Sequence, residues 1–177
     1  MSGNVPKPFP LDASLILIDL QNAIDYPSWG QRNNRETERN IASLLRVWRA
    51  SSRPVYHIRH DSSEPTSPYR PGQAGNQFKL EAQPVPGEII ISKKTNSAFI
   101  GTNLEPMLRA TNQSLLVIAG VITNNSVEAT VRMAGNLGFD GCVANRDGER
   151  SGCESCLWLS NTEDNLDEPD LRGEIVL

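Results

Sequence analysis

Short apolar runs that alternate with amphipathic stretches are the feature that most constrains the fold of this 177-residue chain. Strands are predicted at residues 15–18, 55–60, 89–91 and 115–119, and a weaker strand at 141–144. The first run, Leu-Ile-Leu-Ile, is continuously apolar, which is typical of a parallel strand that is buried on both faces.

Three helices are predicted between these strands. Residues 36–50 place four apolar side chains on one helical stripe, namely Ile41, Leu44, Leu45 and Trp48. Thr102 and Glu105 have the spacing of a capping box before a second helix, and residues 126–137 predict a third helix that ends at Gly138. The alternation of strands and helices predicts an α/β fold with a mainly parallel sheet and helices on both faces.

Three polar residues follow predicted strands, at the edge where ligands bind in parallel sheets. They are Asp19, Lys93 and Ser126, and together they form a possible acid–base and nucleophile set. Each also has a structural explanation. Asp19 and Ser126 are residue types that cap helices. Lys93 could be a solvent-exposed lysine at the end of a strand, and the second lysine beside it supports that interpretation. Asn125 and Glu128 form a rival capping box beside Ser126.

Residues 61–87 interrupt the pattern, since they are rich in Pro, Ser, Gly and Gln and are longer than most loops of compact domains. A disordered excursion is one interpretation. We favour a lid, because the loop leaves a strand at its carboxyl end. Arg70, Gln73 and Gln77 are then candidate substrate contacts, and Phe78 is a candidate wall.

Three motifs carry a family resemblance. They are Leu-Ile-Asp-Leu-Gln-Asn at 17–22, Lys-Lys-Thr-Asn-Ser-Ala-Phe at 93–99, and Val-Ile-Ala-Gly-Val-Ile-Thr-Asn-Asn-Ser-Val at 117–127. In this order they resemble the isochorismatase-like (cysteine hydrolase) family across residues 13–140. The resemblance implies a Rossmann-like three-layer α/β/α sandwich, and it selects Lys93 rather than Lys94.

The resemblance also implies site roles. Asp19 would be the acid or base, Lys93 its electrostatic partner, and Ser126 would occupy the position of the usual nucleophilic cysteine. The peptide bond between Val121 and Ile122 would be cis, and the backbone N–H groups of Ile122 and Ser126 would face an oxyanion. Further substrate-binding candidates join these residues: Gln21, Arg70, Gln77, Phe99 and Asn125.

The serine decides which reaction is expected. A serine hydroxyl is much harder to activate than a thiol, so a thiol-amidase mechanism is doubtful. Within the family, isochorismatases do without the cysteine, because their aspartate acts as a general acid on the substrate. We therefore predict a hydrolase of a small carboxylated metabolite. The alternatives are an amidohydrolase with a serine nucleophile and a non-catalytic binding protein on the same fold.

No cofactor or metal is predicted. The residues after Ile18 lack the G-x-G-x-x-G of dinucleotide-binding sites. The two histidines, His57 and His60, are three apart on a predicted strand and so point to opposite faces.

Charge and composition bound the partners and the location. The net charge of −4 argues against a nucleic-acid surface, and no apolar run reaches the length of a membrane span. An odd cysteine count without a secretion signal indicates reduced thiols and a cytoplasmic protein. The resemblance implies a small-molecule substrate. By resemblance, a homo-oligomer is expected.

The chain is interpreted as one domain over residues 13–177, preceded by an N-terminal arm at 1–12. The family pattern fades after Asp140. Residues 146–177 hold nine acidic and three basic side chains. We therefore interpret residues 141–177 as a diverged, acidic C-terminal segment, for which a shifted reading frame is one explanation.

Overall fold

A computed structural model describes residues 12–30, 35–143 and 157–158. The predicted N-terminal arm, apart from its last residue, and most of the acidic C-terminal segment lie outside the described residues. The described chain forms a six-stranded parallel sheet. Its strands are β1 Ser14–Ile18, β2 Val55–His60, β3 Ile89–Lys93, β4 Leu115–Gly120, β5 Asp140–Val143 and β6 Leu157–Trp158.

Helices cover both faces of the sheet, as the alternating sequence pattern predicts. They are α1 Thr37–Ala50, α2 Leu104–Ala110 and α3 Glu128–Asn136. Leu15 and Leu17 of β1 pack with the apolar stripe of α1 on one face. Ile16 and Ile18 pack with α2 and α3 on the other face. Successive side chains of a strand point to opposite faces, and the three-layer α/β/α sandwich is confirmed.

The start of α2 differs from the predicted capping box. The helix begins at Leu104 with Asn103 as its N-cap. The Thr102 hydroxyl accepts a hydrogen bond from the Leu104 N–H at 3.3 Å and donates to the Ala98 carbonyl. Glu105 pairs with Arg109 one turn later instead of reaching back to Thr102. The box is wrong because Thr102 is held by the segment that follows β3.

Strand order places the candidate site at the centre of the sheet. The order β3-β2-β1-β4-β5-β6 puts the topological switch point between β1 and β4. Ligands of open α/β sheets bind at such points, beyond the carboxyl ends of the strands. Asp19 directly follows β1, and Ser126 lies in the turn after β4.

Gly120 allows β4 to end close against β1. Its φ is 144°, and a Cβ added there would lie 2.2 Å from the Ile18 carbonyl oxygen. The next residue, Val121, donates its N–H to the same oxygen at 3.0 Å. Only glycine combines this φ with so close an approach of two backbones.

The long loop at residues 61–87 is tied to the segment that follows β1. It contains two short 3-10 turns, Ala74–Asn76 and Leu80–Ala82. Gln21 and Phe78 form an antiparallel bridge, and the Lys79 N–H donates to the Leu20 carbonyl. These bonds describe an ordered strap rather than the disordered excursion considered from the sequence, and the lid stays a prediction.

Among residues 12–30, 35–143 and 157–158, the helices are too short or too polar to cross a lipid bilayer.

Candidate active site

Asp19 turns the chain sharply at the carboxyl end of β1. Its φ is 54°, in the left-handed region that aspartate tolerates better than most residues. The Asp19 N–H donates to the Ile58 carbonyl at 2.9 Å, so the turn is anchored to β2. The side chain is buried and points its carboxylate at Lys93.

Lys93 ends β3 and joins the three polar residues. Its side chain is fully buried, whereas Lys94 is exposed. The ammonium group has three N–H donors. They reach Asp19 Oδ2 at 2.7 Å, the Thr95 carbonyl at 3.1 Å and Ser126 Oγ at 3.4 Å. The structure therefore brings together Asp19, Lys93 and Ser126, which come from three separate parts of the chain.

Ser126 lies in a wide helical turn, Thr123–Val127, just before α3. The peptide bond between Val121 and Ile122 is cis. Thr130 fixes the turn, since its hydroxyl donates to the Ser126 carbonyl at 2.7 Å and accepts the Ala98 N–H at 3.0 Å. Because Ala98 follows β3, this contact ties the serine turn to the segment that carries Lys93.

The electrostatics of the site centre on Asp19. Burial raises the pKa of the Asp19 carboxyl to about 6, and Lys93 and the Ser126 hydroxyl oppose that rise. Carboxylate oxygen Oδ1 is buried and has no hydrogen-bond partner within the described part of the chain. The carboxyl therefore titrates near neutrality, which suits a group that transfers protons.

One buried aromatic residue, Tyr69, was not singled out in the sequence. Tyr69, in the strap, is buried against Ala23 and Ile24. Its ring contacts His60 and Trp29 edge-on. The sequence shows Tyr69 as one of two aromatic residues in the loop, beside Phe78, and does not show which way its ring points.

Two predicted substrate contacts have other functions. Gln21 is fully buried, and its amide nitrogen donates to the carbonyls of His60 and Asn76, each at 3.0 Å. Its amide oxygen accepts the His60 N–H at 2.7 Å, so the side chain is fully engaged by backbone. Phe99 stacks on Phe139 at 5.8 Å within the core. Both residues are engaged in structural contacts, and their role in substrate binding stays a prediction.

The predicted contacts in the strap lie mostly on its outer side. Arg70 is exposed and donates to the Pro65 carbonyl at 2.7 Å. Gln73 bonds weakly to the Ser67 carbonyl at 3.4 Å, and Gln77 is exposed.

Phe78 and Asn125 differ in how they lie relative to the site. Phe78 places its ring against His57, whose side chain belongs to the α1 face, so it is not a wall of the site. Asn125 is exposed beside Ser126 and stays a candidate.

The described residues contain no group of three or more His, Cys, Asp or Glu side chains that could hold a metal ion. His57 bonds to Glu88 at 2.8 Å, and His60 contacts Tyr69.

Comparison with known proteins gives consistent matches. Residues 13–146 match the model of the isochorismatase domain. The chain is 43% identical over 127 residues to the uncharacterized isochorismatase family protein YrdC of Bacillus subtilis, covering 72% of this chain and 68% of that protein. It is 26% identical over 176 residues to the ureidoacrylate amidohydrolase RutB of Rhizobium rhizogenes, covering 78% and 72%.

A solved structure of a hydrolase of the isochorismatase family from Chromobacterium violaceum is similar over most of the chain. Its TM-score is 0.79 at 48% identity, and the match covers 88% of this chain and 94% of that one.

Proposed function

Because the chain belongs to the isochorismatase family of hydrolases, we propose that it hydrolyses a small carboxylated molecule and that Asp19 transfers the protons. The observation that carries this proposal is the buried contact of Asp19 with Lys93 at 2.7 Å, in surroundings where burial raises the pKa of Asp19 to about 6. A carboxyl group with that pKa is partly protonated near neutral pH, so it can act as a general acid.

The reaction we propose is hydrolysis of a vinyl ether of the isochorismate type. Protonated Asp19 gives its proton to the terminal vinyl carbon, which leaves a cation stabilised by the ether oxygen. Water adds to that cation and returns a proton to the Asp19 carboxylate. The hemiketal then breaks its bond to the ring oxygen, and its hydroxyl proton moves to that oxygen, which yields pyruvate and a ring alcohol.

Lys93 is proposed to hold the substrate carboxylate. All three of its donors already have protein partners, so the substrate must replace one of them. The contact with Ser126 Oγ, at 3.4 Å, is the longest and the weakest. Once Lys93 is shared with a second anion, it lowers the pKa of Asp19 less, and the acid form of Asp19 is favoured.

The backbone N–H groups of Ile122 and Ser126 are proposed as donors to charge that develops on the substrate. Ile122 lies two residues after β4 and is 40% exposed. The Ser126 hydroxyl contacts Lys93 Nζ at 3.4 Å, so Ser126 lies beside the Asp19–Lys93 pair. Donors held by a rigid turn do not need to reorganise during the reaction, which is why such groups are effective.

A second reaction is favoured by the contact between Lys93 Nζ and Ser126 Oγ. With Asp19 ionised as a base, Asp19 would take the Ser126 hydroxyl proton while Oγ attacks an amide carbonyl. The C–N bond would then break, the proton would pass from Asp19 to the leaving amine, and an acyl-enzyme would remain for water to hydrolyse. The similarity to a ureidoacrylate amidohydrolase supports this alternative. A covalent adduct on Ser126, found by mass spectrometry after a rapid quench, distinguishes it from the vinyl-ether reaction.

The experiment is pyruvate release from isochorismate by the wild type, Asp19→Asn and Ser126→Ala. We expect Asp19→Asn to lose about a hundredfold or more of kcat/KM and Ser126→Ala to retain most activity. Asp12→Asn, at an exposed position, is the matched control. Equal loss in both site variants would favour the serine nucleophile, and no release from the folded wild type would reject isochorismate as the substrate.

A further inference from the structure

We propose, building on the proposed function, that Thr130 is a positioning residue whose buried hydroxyl sets how close the turn that carries Ser126 lies to the segment that carries Lys93. Thr130 is fully buried, so it acts through these two segments rather than on a substrate. The inference rests on the two bonds of the hydroxyl, on the long bonds within the turn and on the apolar surroundings of Thr130.

The Thr130 hydroxyl bridges two segments that are distant in sequence. It donates to the Ser126 carbonyl at 2.7 Å and accepts the Ala98 N–H at 3.0 Å. The first bond is a common one, because threonine hydroxyls in helices often bond to the carbonyl four residues back. The second bond is not part of that pattern, since Ala98 belongs to the segment after β3. The hydroxyl therefore binds one side of the site as a donor and the other side as an acceptor.

The turn Thr123–Val127 has long bonds of its own. The Val127 N–H donates to the Ile122 carbonyl, five residues back, at 3.3 Å, which is at the long end of the usual range. Wide turns of this kind are rare and occur frequently at functional sites. The bond from Thr130 to the Ser126 carbonyl is much shorter. Ser126 is therefore held more firmly by α3 than by its own turn.

The Lys93 side of the site is fixed separately. Lys93 Nζ donates to the Thr95 carbonyl at 3.1 Å, so the ammonium group is held by its own segment. Ala98, further along that segment, is fully buried. Lys93 Nζ and Ser126 Oγ are 3.4 Å apart, a contact too long to hold the turn by itself. The separation of the two sides therefore depends on the bridge through Thr130.

Thr130 is a polar residue on an otherwise apolar face of α3. The side chains of that face pack in one core cluster with the segment after β3: Val127, Val131 and Ala134. A buried hydroxyl is costly unless it is bonded, and threonine is a poorer helix former than alanine. Valine has the same shape and would fill this place without a polar group. The two bonds of the hydroxyl explain why a polar residue fits here.

The separation of the two sides also affects Asp19. Burial raises the pKa of the Asp19 carboxyl to about 6, while Lys93 and the Ser126 hydroxyl oppose that rise. If the turn moves outward, the Ser126 hydroxyl leaves Asp19, whereas Lys93 stays bound to Asp19 at 2.7 Å. One of the opposing effects is then lost, and the pKa of Asp19 rises further. The geometry of the site can therefore be measured without a substrate.

The test is titration of the Asp19 carboxyl by carbon-13 NMR on the full chain, with its signal identified by its loss in Asp19→Asn. Thr130→Val removes both bonds and keeps the shape, and it should raise the pKa of Asp19. Thr130→Ser keeps the hydroxyl and should leave the pKa at the wild-type value. Val131→Ala, which removes apolar packing from the same helix, is the matched control and should not change the pKa.

Pyruvate release from isochorismate gives a second measurement. We expect Thr130→Val to lower kcat and kcat/KM by the same factor, about tenfold to a hundredfold, because misplaced groups lose contacts made only in the transition state. Thr130→Ser should retain most of the activity. Thr130→Ala removes the same two bonds with a smaller side chain, and it provides the comparison if valine prevents folding.

An unchanged pKa of Asp19 in the folded Thr130→Val variant would overturn the proposal. An equal rise in Thr130→Ser or Val131→Ala would also overturn it, because the effect would then belong to the packing of α3 and not to the hydroxyl. The titration separates this proposal from the proposed function. If the wild type releases no pyruvate but Thr130→Val raises the pKa as expected, the proposed function fails and the positioning role stands.

Discussion

Asp19 combines three properties that rarely occur in one residue. Its backbone is left-handed, its side chain is buried, and its carboxylate is paired with a lysine that is buried as well. Burying an ion pair so fully costs desolvation energy. Buried pairs of this kind are therefore often found where the charges have a function. The surrounding bonds, from the Asp19 N–H to Ile58 and from Lys93 to Thr95, hold both partners in place.

The first prediction is the pH dependence of hydrolysis. If Asp19 is the general acid, kcat/KM is full below about pH 6, the pKa of Asp19. It then falls roughly tenfold for each pH unit above that value, because only the protonated form reacts. A pH–rate profile between pH 5 and 8 measures this. A rate that rises through pH 6 instead would identify Asp19 as a base and favour the acyl-enzyme alternative.

The second prediction concerns Gly120. A methyl group at this position would meet the Ile18 carbonyl, and the φ of 144° is unfavourable for alanine. We expect Gly120→Ala to lower the free energy of unfolding by more than about 3 kcal/mol, measured by urea denaturation. The control is Gly138→Ala, where φ is 78° but nothing lies within 4 Å, and where about 1 kcal/mol is expected.

For single residues, the sequence predicted the place along the sheet better than the direction in which each side chain points. Asp19, Lys93 and Ser126 meet because each follows a strand of one parallel sheet, and strand order alone brings such residues to one edge. Gln21 and Phe99 belong to the same motifs but are buried in structural contacts. Whether a side chain points to the site or to the core depends on neighbours that are distant in sequence.

Among the elements, Glu88, just before β3, joins several neighbours through its carboxylate. One carboxylate oxygen accepts the Arg49 Nε–H at 2.7 Å, and the other contacts Arg49 Nη2 at 2.9 Å and His57 Nε2 at 2.8 Å. Glu88 thereby joins α1, β2 and β3 on the α1 side of the sheet. Despite the opposing effect of burial, these partners hold its pKa down, at about 2.

The third prediction follows from that pKa. Because the folded chain binds this proton less tightly than the unfolded chain, Glu88 stabilises the fold fully above about pH 4.5. The contribution is lost as the pH falls toward 2. Glu88→Gln should lower the free energy of unfolding by about 1–3 kcal/mol at pH 7, and the difference should shrink below pH 4.

The matched control is Glu105→Gln, which breaks a more exposed pair with Arg109 within α2. It should cost less than about 0.5 kcal/mol. Equal losses in the two variants at pH 7, measured by denaturant titration, would contradict the role assigned to Glu88.

The fourth prediction tests whether residues 61–87 form a fixed strap. Asn76→Ala removes three hydrogen bonds that hold the segment to itself and to the end of β2. We expect limited proteolysis to cut this segment much faster in the variant than in the wild type, because cleavage needs local opening. Asn103→Ala, at an exposed residue with no side-chain capping bond among the described residues, is the control.

Composition could not reveal the strap. Pro, Ser, Gly and Gln favour irregular backbone, and residues 61–87 are indeed irregular. What fixes them is a set of bonds to the segment after β1 and the ion pairs of Lys79 with Asp25 and Glu38. Such contacts have no local sequence pattern, whereas the periodic apolar residues of α1 and the buried run of β1 predicted those elements well.

Across the whole molecule, the parallel sheet has β3 at one edge. Ile90, the second residue of that strand, is 50% exposed and is the register partner of His57, so it lies on the α1 face of the sheet. An exposed edge strand is a common place for chains to associate. The α/β layers followed from the alternation of strands and helices in the sequence, whereas the strand order comes from the structure. The assembly of chains does not follow from the sequence.

The fifth prediction is that the protein forms a homo-oligomer. Light scattering coupled to size exclusion should give a mass that is a multiple of the 19.5 kDa chain. Ile90→Lys should weaken the oligomer if the β3 edge contributes, whereas Lys94→Ala, at an exposed site nearby, should leave the mass unchanged. A single-chain mass at micromolar concentration would reject the prediction.

The hydrogen bonds of Lys93 also determine the stage of folding at which activity can first arise. They join residues 74 and 33 positions apart along the chain. Asp19, Lys93 and Ser126 reach one another only after β1, β3 and the turn beyond β4 have taken their places, so no early fragment contains the site. Turnover in a refolding experiment would therefore begin only when the central sheet is complete. The time at which activity appears would measure the time at which the sheet forms.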